Sequence, residues 1–195
     1  MTADRPAMAS RGRAATATRV LAHRIIHRAC HRGDQPDLDA AVRLADERLV
    51  PSAAARRAVA AEALQLAATV LEARRPGGRL EGALHANVRV GLRQRHGSAR
   101  VVLIPTLFLP AGTGVPRVIA VEDSDAKAAK RRARRYRHAA RVLLGRPVRA
   151  FVVRAGGALE ELPPAPVSRT GPRGAAYPGR ECSPSGRPQS GRRRR

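Results

Sequence analysis

Between Arg117 and Arg154 the chain reads as an apolar strand, a strongly basic helix and a second apolar strand, and this order limits the possible folds more than any other stretch. Val118-Ile119-Ala120-Val121 ends on Glu122 and Asp123. Ser124-Asp125 then supplies a helix N-cap, and Gly145 and Pro147 close the helix. The following strand runs from Val148 to Arg154. Two short apolar strands joined by a helix of this length form a candidate parallel crossover.

The preceding residues supply elements for that unit to pack against. A helix is expected from about Thr18 to Arg32, with Leu21, Ile25 and Ala29 on one face and Gly33 ending it. A second opens at Asp37 and runs to about Leu49. A third, capped at Pro51-Ser52, runs to about Arg75, and its wide stripe of Val59, Ala63, Leu66 and Val70 suits packing on a sheet. Leu84, Ala86, Val88, Val90 and Leu92 alternate with polar residues, as in a strand that buries one face. His96-Gly97-Ser98 reads as a tight turn. Val101 to Leu109 is nearly continuous in apolar residues, as in a strand covered on both faces. The expected fold class is α/β, with α+β as the alternative: N-terminal helices, a three-stranded meander, a basic helix and a further strand. The domain reading is a disordered basic leader over 1–18, a helical segment over 19–75, an α/β core over 76–162 and a disordered Arg/Pro/Gly/Ser-rich tail over 163–195.

Net charge is +23, and its distribution matters more than its size. Residues 125–144 hold eight cations against the single acid Asp125, and residues 163–195 hold eight against Glu181, whereas residues 37–75 balance to zero. An uneven excess of this kind is the footprint of a polyanion partner. Arg, Ala, Gly and Pro are also the residues a GC-rich genome encodes most readily, so codon usage contributes to the basicity. In the limit, the reading frame would be non-functional. Uniform codon bias, however, does not set a neutral 37–75 beside so basic a helix. Cys30 and Cys182 are far apart, which argues against a disulfide framework and fits a reducing cytoplasm. No apolar run reaches the length of a membrane span, and no signal peptide is visible.

Within the basic helix, Ala129, Ala133, Tyr136, Ala140 and Leu143 fall on one narrow face. Lys127, Lys130, Arg134, His138 and Arg141 fall on the opposite one. A helix with an apolar keel and a basic ridge can dock on a sheet and present its charge outward. The expected nucleic-acid-binding residues are Lys127, Lys130, Arg131, Arg134, Arg135, Arg137 and Arg141 on this helix and Arg192, Arg193, Arg194 and Arg195 in the tail. Arg132 sits near the keel and must snorkel or find a partner. Aromatic residues make up only 2% of the chain, which disfavours stacked single-strand or RNA recognition and favours double-stranded DNA gripped through phosphates.

The order helix, meander, helix, strand resembles the core of the PD-(D/E)XK nuclease-like fold, and within it the replication-relaxation family of bacterial mobile and plasmid-borne elements. The resemblance covers about residues 84–155. It is carried by Ile104-Pro105-Thr106-Leu107-Phe108-Leu109, by Val118-Ile119-Ala120-Val121-Glu122-Asp123, and by Arg134-Arg135-Tyr136. It implies Glu122 as a ligand for Mg²⁺, which takes hard oxygen donors and leaves room for water and phosphate. Two departures stand out. Thr106 occupies the position of the family's metal-binding Asp, and Ser124 that of its Lys. Lys127, Glu62 and Glu72 are the available substitutes, with Glu122 and Lys127 as the candidate catalytic pair. The resemblance with these departures implies retained DNA binding, needing no cofactor, with lost cleavage. The alternatives are a Mg²⁺-dependent nuclease, or a basic protein binding RNA or an acidic partner.

Two further patterns have plainer readings. His23, His27 and His31 recur every four residues, but His23 and His31 are about 12 Å apart along a helix, so one ion cannot take all three. The expected role is a solvated polar face opposite Leu21 and Ile25. The second and third helices, with Arg56 and Arg57 at the start of the third, have the order of a helix-turn-helix. An ordinary helical hairpin is the preferred reading, because the third helix is too apolar for a groove.

Overall fold

The computed structural model describes residues 5–33, 36–93, 98–122, 125–154 and 156–164, with the backbone alone over 5–11. Asp123, Ser124, the turn at His96-Gly97, Cys182 and the four terminal arginines lie outside the described residues. The helices are α1 (Arg5–Arg32), α2 (Leu38–Leu44), α3 (Ala53–Ala73) and α4 (Ala126–Leu144). The strands are β1 (Ala83–Arg93), β2 (Ala99–Leu109), β3 (Arg117–Val121), β4 (Arg149–Val153) and β5 (Leu159–Glu161).

Helix ends follow the capping residues. Asp37 accepts from the Ala40 amide at 2.7 Å, Ser52 from Ala55 at 3.5 Å, and Asp125 from Lys127 and Ala128 at 2.8 and 3.0 Å. Gly145 closes α4 in the left-handed conformation, with its amide bonded to the Arg141 carbonyl at 2.9 Å. α1 begins at Arg5, well before Thr18, so the segment read as a leader is helical from Arg5 onward.

The five strands form one open sheet in the order β1-β2-β3-β4-β5. β1, β2 and β3 make the antiparallel meander, β3 and β4 pair in parallel across α4, and β5 returns antiparallel. β5 lies in a stretch without clear alternation and is the one strand that the sequence pattern does not show. Two cores lie on the two sides of the sheet. Leu21, Ile25 and Ile26 of α1 and Val59, Leu66 and Val70 of α3 enclose Phe108, Ile119, Phe151 and Val153. On the other side Ala129, Ala133, Tyr136 and Ala140 of α4 cover Leu107, Val118, Ala120, Ala150 and Val152. The wide stripe of α3 packs chiefly on α1 rather than on the sheet. Each phenylalanine is fully buried, which stabilises by about 2–3 kcal/mol.

β1 does not bury one face along its whole length. Leu84 packs with the α1–α3 core, but Val88, Val90 and Leu92 pack on the α4 side. The swap occurs at Asn87, whose φ is 53°, opposite Pro105. Asn tolerates the left-handed region, and Pro has no N–H for the ladder, so pairing lapses at one position while the register resumes on either side. β2 changes faces with it: Phe108 faces one core, Val102 and Ile104 the other.

The same place opens a fork. β2 pairs with β3 only from Thr106 to Phe108, whereas β3 stays with β4 through Val121.

Candidate functional site

α4 separates its cations into two groups. Lys130 reaches Glu160 at 2.8 Å, Arg131 lies 3.6 Å from Asp125, Arg132 donates to the Val121 carbonyl at 3.1 Å, and Arg137 donates to the Pro163 carbonyl at 2.6 Å. Lys127, Arg134, Arg135 and Arg141 are exposed and make no ion pair among the described residues. With His138, also exposed, Lys127, Arg134 and Arg141 line one ridge, at spacings that return to the same helix face. The ridge is about 21 Å long at about 1.5 Å per residue. The keel forms as expected from Ala129, Ala133, Tyr136 and Ala140, but Leu143 is half exposed. Arg137, expected at a nucleic-acid surface, is buried at 7% exposure, and its guanidinium holds the segment that follows β5 at the Pro163 carbonyl. Burial and then neighbouring Arg134 and Arg141 lower its pKa.

Arg132 resolves its conflict by the fork. The Glu122 amide bonds to the Val153 carbonyl at 2.8 Å, so the trans peptide points the Val121 carbonyl the other way, toward the space that β2 has left. Arg132 satisfies that carbonyl in place of a strand.

Glu122 sits in an ionic chain. Its carboxylate lies 3.7 Å from Arg154, which also pairs with Glu160, which in turn holds Lys130. Two carboxylates therefore converge on a guanidinium. Hydrogen bonding from Lys130, with Arg154 adding to it, keeps the Glu160 carboxyl below the usual range. No group of three or more His, Cys, Asp or Glu among the described residues could hold a metal ion. Lys127 makes no bond to Glu122 among the described residues, Glu62 accepts from Thr18 at 3.1 Å in the helical layer, and Glu72 lies 3.9 Å from Arg75. None of these substitutes is bonded to Glu122 among the described residues.

What converges at Thr106 is imidazole. His23 Nδ1 lies 2.8 Å and His27 Nε2 3.1 Å from Thr106 Oγ1. The expected solvated face is instead packed: His23 is only 6% exposed, His27 is half-buried, and only His31 is exposed. α1 has α3 on one side and the sheet on another, so burial extends past the Leu21/Ile25 stripe. A hydroxyl has one proton to give, so Thr106 donates to at most one imidazole and at least one imidazole donates to it. His27 also bonds to the Pro105 carbonyl, which only accepts. His23 Nε2 is buried and has no hydrogen-bond partner among the described residues. Protonating it would add an unpaired buried N–H. Burial first, then the charges of His27, Arg19 and Arg132, push the His23 pKa down to about 3. Burial lowers that of His27 as well.

Beside this pair lies a cavity of about 440 Å³, walled by α1 from Arg19 to His27, by Leu103 and Pro105 of β2, and by Arg135 and Tyr136 of α4. Sequence reading missed it, because Pro105 and Asn87 signal a break in a strand without showing which helices fill the gap.

The helix-turn-helix pattern is a short hairpin here. Arg56 donates to the Val50 and Pro51 carbonyls at 3.2 and 2.7 Å, and Arg57 lies 3.5 Å from Asp39. No helix among the described residues is long and apolar enough to cross a membrane. No protein-family model matches the chain, and neither a curated protein nor a solved structure matches it.

Proposed function

We propose that this protein binds double-stranded DNA through the ridge of α4, with the Arg-rich C-terminal residues adding affinity. The observation that carries the reading is the division of labour on α4: the cations near the sheet have acceptors, and those of the ridge have none among the described residues. Like charges this close repel, and a phosphate backbone relieves that repulsion while releasing its counterions. Duplex DNA carries about twelve phosphates over about 21 Å of axis, so the ridge matches a continuous line of anions. The keel leaves the ridge outward because the opposite side of α4 is spent on Val118, Ala120 and Val152. Backbone contacts of this kind position a protein on DNA without reading its sequence. Kinship with the PD-(D/E)XK nuclease-like fold belongs to the same proposal, as does service to plasmid or phage replication or transfer, and both rest on the element order and the motif residues around Thr106, Glu122 and Tyr136.

The test is duplex affinity of the triple variant Lys127→Glu, Arg134→Glu, Arg141→Glu against the parent. The expected loss is about a hundredfold or more near 0.1 M salt, with an unchanged melting temperature. Equal affinity for parent and variant would place the binding elsewhere and end this reading.

A further inference from the structure

The cavity at the fork is a separate surface from the ridge, and α4 serves both. Arg134 lies on the ridge, while its neighbours Arg135 and Tyr136 line the cavity. Three features set what the cavity can hold. Its cations come from two elements, Arg19 and Arg24 from α1 and Arg135 from α4, and no Asp or Glu among the described residues lines it. Arg24 spends one nitrogen, Nη1, on the Leu44 carbonyl at 3.1 Å, and Arg135 makes no ion pair among the described residues. The opposing wall, Leu103 and Pro105, is apolar, and Leu103 is 45% exposed, an apolar surface facing an opening. A volume of about 440 Å³ lies within the range of small-molecule sites and exceeds what a bare inorganic anion fills. The adjoining His23 is kept neutral by burial first, and then by the charges of His27, Arg19 and Arg132.

We propose that this cavity binds a phosphate monoester carried on a nucleoside-sized body, with the phosphate between Arg24 and Arg135 and the body against Leu103 and Pro105. Guanidinium groups suit this because their N–H forks match phosphate oxygens in pairs, and two forks from different helices can share one dianion. The fork makes the site. If β2 stayed beside β3 to the end of the strand, its backbone would occupy the space between α1 and α4. The same chemistry has two sources, a free nucleotide or the phosphorylated end of a nucleic-acid strand.

The test is calorimetric titration of the full chain with adenosine 5′-monophosphate, with adenosine and inorganic phosphate as separate titrants. One saturable site is expected, with a dissociation constant below about 1 mM and each fragment at least about tenfold weaker. Arg24→Ala and Arg135→Ala should each weaken binding about tenfold or more. Arg75→Gln, which removes an exposed cation just after α3, should not. Leu103→Trp fills the cavity from a partly exposed position and should block binding while the thermal unfolding midpoint stays put. That keeps the test valid even where an arginine variant fails to fold. A hairpin duplex with a 5′-phosphate, compared with its unphosphorylated twin, identifies the source: a preference for the phosphorylated end, lost in Leu103→Trp, supports a strand end, and no preference supports a free nucleotide. No saturable binding of the mononucleotide at about 10 mM, or binding unaffected by Leu103→Trp, overturns the proposal. Neither result depends on whether the ridge binds DNA.

Discussion

The ridge of α4 and the histidine stripe of α1 look alike in sequence: each is a row of polar residues at helical spacing, opposite an apolar face. In the fold they part. The ridge of Lys127, Arg134 and Arg141 stays in solvent, whereas His23 and His27 are drawn against Thr106. The difference lies in the neighbours. α4 is covered on one side only, by the sheet, so its opposite side must be wet. α1 is wedged between α3 and the sheet and has little solvent-facing surface along its middle turns. Arg also resists burial in a way that neutral imidazole does not, since His can shed its proton and Arg cannot. A polar stripe on a helix is therefore a sign of solvent only when the element has one packing partner.

The largest test of this contrast is acid. The His23 pKa is lowered in the folded state, so between about pH 3 and 6.5 the unfolded chain binds more protons, and stability rises with pH across that window. Its contribution is complete above about pH 6.5 and falls by about 2 kcal/mol by pH 5. Denaturant unfolding at pH 7 and 5 should show that loss, and His23→Gln should flatten much of the slope. A slope identical in the variant would show that His23 is not buried neutral. Next comes Thr106→Val, which keeps the shape but leaves two imidazole nitrogens without a partner, at a cost of about 1–3 kcal/mol in the same assay; Thr106→Ser should recover most of it. Arg137→Ala sharpens the comparison within α4 itself. Loss of its bond to the Pro163 carbonyl should cost about 1–2 kcal/mol of stability and leave duplex affinity nearly unchanged, whereas Arg134→Ala, on the ridge, should do the reverse. The smallest effect expected is in salt dependence: Arg141→Ala should reduce the slope of log affinity against log salt by about one.

Much of the fold was legible because its signals are local. The cap at Asp125, the left-handed Gly145 and the alternation of apolar residues set α4 and its flanking strands, and the parallel pairing of β3 with β4 followed from the length of the crossover. The keel and ridge of α4 were legible too, since a helix with one partner obeys its own periodicity. What escaped depended on distant contacts. Nothing near Arg137 shows that the chain after β5 returns to it. The alternation of β1 hides the change of face at Asn87, because the pattern continues while the strand turns over. The histidines gave a spacing that metal chemistry could not use, and only the position of β2 reveals Thr106 as their meeting point. Glu122 was legible as a strand-ending acid but not as a partner of Arg154, which follows the paired end of the neighbouring parallel strand.

The central claim is that a folded ridge, rather than diffuse basicity, grips DNA. The most direct measurement is duplex affinity across a range of salt for a chain ending at Pro164, where the compact unit closes, compared with its triple ridge variant. The account predicts binding by the shortened chain with a slope of about −3 to −4, and a nearly flat, weak response from the variant. Loss of all binding with the tail, or the same slope in both proteins, would contradict it.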